Sequence, residues 1–106
     1  MDETKVVNIN TEPYDIYIGR KIREIYHYGN PFKIGPDGTR TIVIKKCDFW
    51  LRGIAYSDIE PKRRKWILEN IESLRGKTLG CCCKPEACHG DLYVEYLAEL
   101  KREEIK

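Results

Sequence analysis

Apolar positions along the chain follow two periods. Lys5-Val6-Val7-Asn8-Ile9-Asn10 is a short β-branched run. It closes at Thr11-Glu12-Pro13, where proline's fixed φ and missing amide proton favour a break. Asp15 to Gly19 is the stronger strand, and its continuous Ile16-Tyr17-Ile18 predicts burial on both faces, as in parallel sheets. Lys77 to Cys83 reads as the last strand. Elsewhere the spacing is helical. Ile22, Ile25 and Tyr26 share a face and predict a helix over Lys21 to Tyr28. Thr39 to Leu51 carries strand propensity at Thr41 to Ile44, but Val43, Cys47, Trp50 and Leu51 recur at helical spacing. We therefore read a helix, with Thr39 as N-cap and Arg52-Gly53 as the stop. Pro61 suits a first helical position. From Lys62 to Leu74, Trp66, Ile67, Asn70, Ile71 and Leu74 share a face, and Arg75-Gly76 closes the helix. The final helix runs from Leu92 to Arg102, with Val94, Leu97 and Ala98 along one side and Tyr93, Tyr96 and Leu100 widening the stripe.

Strands separated by helices predict a small single α/β domain over residues 1–106, with a mainly parallel sheet of three to four strands flanked by helices. A chain of this length buries roughly 65% of its unfolded surface, so disulfides are not required for folding. The stretch from Tyr28 to Gly38 holds Gly29, Gly35, Gly38, Pro31 and Pro36, which predicts a structured loop with Phe32 plugging the core beneath it. Asn30 precedes Pro31 and is biased to extended backbone, leaving its amide free to point at a ligand.

Composition narrows the function classes. Charged residues make up 34% of the chain, yet the net charge is only +2, which argues against a general electrostatic hold on nucleic acid. The run Lys62-Arg63-Arg64-Lys65 reads as a solvated face, against the competing reading of a nucleic-acid grip with Trp66. No stretch reaches the roughly 18 apolar residues of a membrane span, and the first residues lack signal-peptide character, so a cytoplasmic location is expected. In a reducing compartment, clustered cysteines indicate metal binding or thiol chemistry. The absence of Gln and the single Met resemble the composition of proteins from heat-loving sources, where intracellular disulfides also occur.

Four of the five cysteines and one of the two histidines lie between Cys81 and Asp91. Strand alternation would turn Cys81 and Cys83 to one side and pack Cys82 into the core. Cys47, on the apolar face of its helix, reads as a core residue. Three readings of the box follow. Cys81, Cys83, Cys88 and His89 form a Cys3His set that suits tetrahedral zinc, although the spacing lacks the usual two-residue knuckle. Alternatively, the box is a metal-free ligand-binding or catalytic site. His89 would then be the acid–base group, Cys83 or Cys88 a thiol activated by the helix N-terminus, and Asp91 a partner orienting His89 or binding a ligand. Gly90 would permit close backbone approach, and the helix start would hold an anion. The third reading is structural: buried thiols, or a Cys83 to Cys88 disulfide.

The box Leu79, Cys81, Cys83, Pro85, Cys88, His89, Gly90 and Asp91 resembles that of the domain of unknown function 4326 family, where tryptophan usually stands at the position of Cys82. Ile18-Gly19-Arg20 and Gly29-Asn30-Pro31-Phe32 resemble two further boxes of that family, in the same order. The resemblance implies no established reaction. If the Tyr17 and Leu79 strands are parallel, all three boxes lie at one carboxyl edge, where open α/β sheets bind ligands. Arg20 and Asn30 would then face the cysteine–histidine box and bind an anionic small molecule, such as a nucleotide or a phosphorylated sugar. The alternative function is a zinc-stabilised interaction module without enzymatic activity.

Overall fold

A computed structural model describes residues 3–20 and 24–102, together with the backbone of 103–105. Its elements in chain order are β1 (Lys5–Asn8), β2 (Ile16–Tyr17), α1 (Arg40–Leu51), α2 (Pro61–Asn70), a 3-10 turn (Ile71–Leu74), β3 (Thr78–Cys81) and α3 (Gly90–Ile105). The fold is a small α/β domain built on a three-stranded sheet of order β1-β3-β2. Both pairings are parallel, with Val6 opposite Leu79 on one side and Tyr17 opposite Gly80 on the other. Parallel pairing brings the carboxyl ends of all three strands to one edge.

The central strand β3 is buried at Leu79, Gly80 and Cys81. Ile16 and Tyr17 are only half-buried, because β2 is an edge strand and not the doubly covered strand its apolar run predicts. Backbone pairing extends past the short strand, with Asp15 N–H donating to Thr78 and Ile18 N–H to Gly80. At Gly80 the outward face is covered by Tyr14 and Ile9, whose side chains stand 2.6 and 2.7 Å from where a Cβ would sit. No side chain fits there.

Helix α1 begins as its sequence predicts. Thr39 Oγ1 accepts from the Ile42 N–H, and the buried stripe is Val43, Cys47, Trp50 and Leu51. Gly53 follows the C-cap with φ +75°, a left-handed conformation that favours glycine. Pro61 opens α2, whose last turn tightens into the 3-10 turn. In α3 Leu92, Tyr93 and Leu97 are buried, with Tyr96 and Leu100 partly covered, while Ala98 faces solvent. The stripe is therefore rotated towards the tyrosines from the expected Val94–Leu97–Ala98 line. Arg52 ties α1 to α3, its two Nη atoms donating to the Glu99 carboxylate at 2.9 and 2.6 Å.

Two expectations fail for identifiable reasons. The helix predicted from Lys21 starts in residues 21–23, which lie outside the described residues. From Glu24 to Tyr28 the chain is bent and non-helical. Its carbonyls bond elsewhere, those of His27 and Gly29 to Arg63 and that of Tyr28 to His89 and Tyr93. Arg63 and Arg64 also leave the expected solvated face. Arg63 is buried, and Arg64 Nε donates to the carbonyls of Trp50 and Leu51 at the end of α1. Lys62 and Lys65 alone stay exposed, so the four-cation patch for nucleic acid is reduced to two. Among the described residues, no helix is long and apolar enough to cross a membrane.

Candidate functional site

The carboxyl edge of the sheet opens into a cleft of about 220 Å³. Tyr17, Gly19 and Arg20 line it where the chain leaves β2, and Cys81, Cys82 and Cys83 where it leaves β3. Asn30, Phe32 and Ile34 come from the glycine-rich loop, Arg40, Val43 and Ile44 from the first turns of α1, and Ala87, Cys88 and His89 from the approach to α3. The three boxes thus share one cavity. Among the described residues, Arg20 and Arg40 are its charged lining residues, and no carboxylate lines it.

Arg20 is exposed, and its Nη2 donates to the Phe32 carbonyl at 2.7 Å, which aims the guanidinium across the cleft. Gly29 permits this course, because a Cβ there would stand 2.9 Å from Arg20 Cγ. Asn30 behaves differently from the expectation. Its Nδ2 donates to the Val43 carbonyl at 3.2 Å and its Oδ1 accepts from the Phe32 N–H at 2.9 Å. Both ends of the amide hold the loop against α1, and the residue is buried.

His89 is likewise committed. Its Nε2 lies 2.8 Å from the Ile18 carbonyl and 3.0 Å from the Tyr28 carbonyl. Carbonyls only accept, so these contacts assign the proton to Nε2. Nδ1 faces the Cys88 sulfur at 3.6 Å. Burial holds the imidazole below its ordinary pKa, against the opposing pull of the two carbonyls, with Arg20 and Arg63 lowering it further. His89 is a neutral bolt between the end of β2 and the loop, with no donor left for a substrate at Nε2. Tyr93 Oη donates to the same Tyr28 carbonyl at 2.6 Å.

The start of α3 is closed in the same way. The Gly90 N–H donates to Cys88 Sγ at 3.4 Å, and Asp91 Oδ2 accepts the Cys88 N–H at 3.3 Å. Asp91 Oδ1 accepts from Lys84 Nζ at 2.8 Å, so its oxygens serve Lys84 and the backbone in place of His89. The helix start carries its own carboxylate. Cys88 is buried, and burial pushes its thiol well above the ordinary range, with hydrogen bonding to Cys81 adding to the rise. It is not the helix-activated thiolate the sequence suggests. Gly90 serves packing: a Cβ there would lie 2.5 Å from Ile18 Cδ1 and 3.1 Å from Val6. Gly90→Ala is expected to cost about 1–3 kcal/mol through overpacking, measured by urea unfolding.

The cysteines separate. Cys81 ends β3 in the core, Cys82 is exposed, and Cys83 is half-buried in the cleft. Cys82 escapes the core because ladder pairing stops at Asn8 opposite Cys81, and beyond that point the chain bends and strand alternation no longer applies. Glu86 N–H then closes a turn onto the Cys83 carbonyl at 2.8 Å, across a cis Lys84–Pro85 peptide. All five cysteines are free thiols. The Cys3His ligand set does not assemble. Nε2 of His89 is taken by two carbonyls, and among the described residues no three His, Cys, Asp or Glu side chains are grouped to hold a metal ion.

Arg40 is the residue that sequence reasoning missed. The neighbouring Cys83 thiol holds its guanidinium above the ordinary arginine range, and Nη1 donates to the Ala87 carbonyl at 3.2 Å. The available signal was positional. A helix crossing over between parallel strands starts at their carboxyl edge, so its first-turn residues face that edge.

The chain is 32% identical over 105 residues to an uncharacterized 12.4 kDa protein in the nrdA-td intergenic region of Enterobacteria phage T4, covering 96% of this chain and 84% of that protein. No solved structure matches it. Residues 3–99 match the family described as Domain of unknown function (DUF4326), and the chain belongs to that family.

Proposed function

We propose that the protein binds a small phosphorylated ligand, such as a nucleotide or sugar phosphate, in the cleft at the carboxyl edge of its sheet. The observation that carries this reading is the charge of the lining: among the described residues, two guanidinium groups from separate segments and no carboxylate. Arg20 and Arg40 each spend part of their donor fork on backbone carbonyls, which orients the remainder. Guanidinium forks match phosphate oxygens in geometry as well as charge. Phe32, Ile34, Val43 and Ile44 offer an apolar wall beside them, the mixture typical of small-molecule sites. At about 220 Å³ the cleft is smaller than the ~300–1,000 Å³ of sites that enclose a drug-sized ligand, so part of the ligand projects into solvent.

The test is thermal shift and calorimetry with nucleoside monophosphates and sugar phosphates beside their unphosphorylated counterparts. Phosphorylated compounds should raise the melting temperature, by an amount equivalent to about 2.7 kcal/mol at a hundredfold excess over Kd. Arg20→Ala or Arg40→Ala should weaken binding about 10–100-fold each, the range for a lost charge-assisted contact. If no phosphorylated compound shifts the parent protein, or if both variants bind as the parent does, the reading is wrong.

A further inference from the structure

We propose that the cleft selects nucleoside monophosphates over sugar phosphates, with the Tyr17 ring as the platform on which the base stacks. The inference rests on the phosphate-binding reading of the cleft and names the substrate class within it. Tyr17 is the last residue of β2 and lines the cleft together with Gly19 and Arg20. Its ring lies across the Gly19 backbone, since a Cβ there would run into Tyr17 Oη and Cζ and stand 2.9 Å from Cε1. Glycine at that position lets the ring lie down along the chain at the edge of the cleft.

Other rings of the fold pack on one another, Tyr28 edge-on against Tyr93 and Tyr56 edge-on against Phe32. Tyr17 makes no ring contact and no hydroxyl hydrogen bond among the described residues, and it is only half-buried. Ile34, on the same lining, is 53% exposed. A half-open ring and a bare aliphatic side chain beside two guanidinium groups match a ligand with one flat apolar end and one anionic end. A nucleobase supplies that flat face, and a sugar phosphate lacks it. Stacking on an aromatic side chain serves any base, because every base has a π-face. The cleft, at about 220 Å³, does not enclose a whole nucleotide, which leaves the base on the solvent side, where Tyr17 and Ile34 are incompletely covered.

Calorimetry on the parent protein would compare the four common ribonucleoside 5′-monophosphates with ribose 5-phosphate, which carries the same sugar and phosphate without the base. The tightest nucleotide should bind about tenfold more tightly than ribose 5-phosphate, the effect of one stacked base. Tyr17→Phe keeps the ring and should hold that ratio within about twofold. Tyr17→Ala should bring it below about threefold. All four nucleotides within about threefold of ribose 5-phosphate, a ratio that survives Tyr17→Ala, or one lost in Tyr17→Phe would each overturn the proposal. The parent ratio needs no substitution, so a misfolded variant would not blunt the result. Ribose 5-phosphate separates the two failures. If it binds and the base adds nothing, only the base platform falls, whereas if no phosphorylated compound binds, the phosphate-binding reading of the cleft falls with it.

Discussion

Arg63→Ala is expected to lower the stability of the fold by about 2–6 kcal/mol, the range for removing the donor to two backbone carbonyls. Arg63 is 3% exposed although it stands in a run of four cations. Its Nη1 donates to the His27 carbonyl at 2.9 Å and the Gly29 carbonyl at 2.7 Å, and its guanidinium carbon lies 5.4 Å from the Trp50 ring centroid. Nε and Nη2 meet the Glu60 carboxylate at 2.8 and 3.2 Å. The Glu60 side chain is 49% exposed, so solvent screens the ion pair and its share is small. Most of the loss comes from the His27 and Gly29 carbonyls left without this donor, at about 1–3 kcal/mol each. A domain of this size carries about 5–15 kcal/mol in total, so the variant would be marginal. Urea unfolding followed by tryptophan fluorescence checks it. Arg63→Lys, a point charge that cannot span both carbonyls, should recover less than half of the difference. A change below about 0.5 kcal/mol would return Arg63 to the solvated face that the charge run suggests.

His89→Ala should cost about 2–5 kcal/mol, from the lost donor to the Ile18 and Tyr28 carbonyls and the space the ring leaves. The pH dependence is more specific. Burial depresses the folded-state pKa of His89 below its ordinary 6.5, so the unfolded chain takes up the proton first as pH falls. Its contribution is therefore complete above about pH 6.5 and is lost as pH falls from there through the folded value, at no more than about 1.4 kcal/mol per pH unit. His27 is lowered in the same direction, chiefly by burial and then by Arg63. His89→Gln should accordingly flatten the slope between pH 7 and about 5 and leave the part due to His27. The depressed carboxyls of Glu60, Glu72 and Glu99 act below their ordinary 4.5, outside that window. Parallel stability curves for parent and His89→Gln would contradict the neutral-bolt assignment.

Local pattern made much of the fold legible. The Thr39 cap, the Val43–Cys47–Trp50–Leu51 stripe, Pro61 at a helix start and the parallel pairing of the Tyr17 and Leu79 strands all appear as their spacing implies. These features depend on neighbours within a turn or on which faces are apolar. Where the reading failed, the deciding partner lay elsewhere in the chain. Ile22, Ile25 and Tyr26 have helical spacing, but the carbonyls of His27, Tyr28 and Gly29 are claimed by Arg63, His89 and Tyr93. Strand alternation does not reach Cys82, which lies one residue past the last ladder pair.

The cysteine–histidine box shows the division most clearly. Residue types and spacing alone mark Cys81 to Asp91 as a strand-to-helix junction, and parallel strands put Arg20 beside it. Spacing cannot say which polar atoms remain free once the chain closes. Only the folded chain spends His89 on carbonyls 71 and 61 residues away, closes the start of α3 with Asp91, and buries Cys88. It leaves Arg20, Arg40 and Cys83 facing the cleft. The physical reason is that buried donors and acceptors must be paired, and the partners that pair them come from distant segments brought together by the sheet.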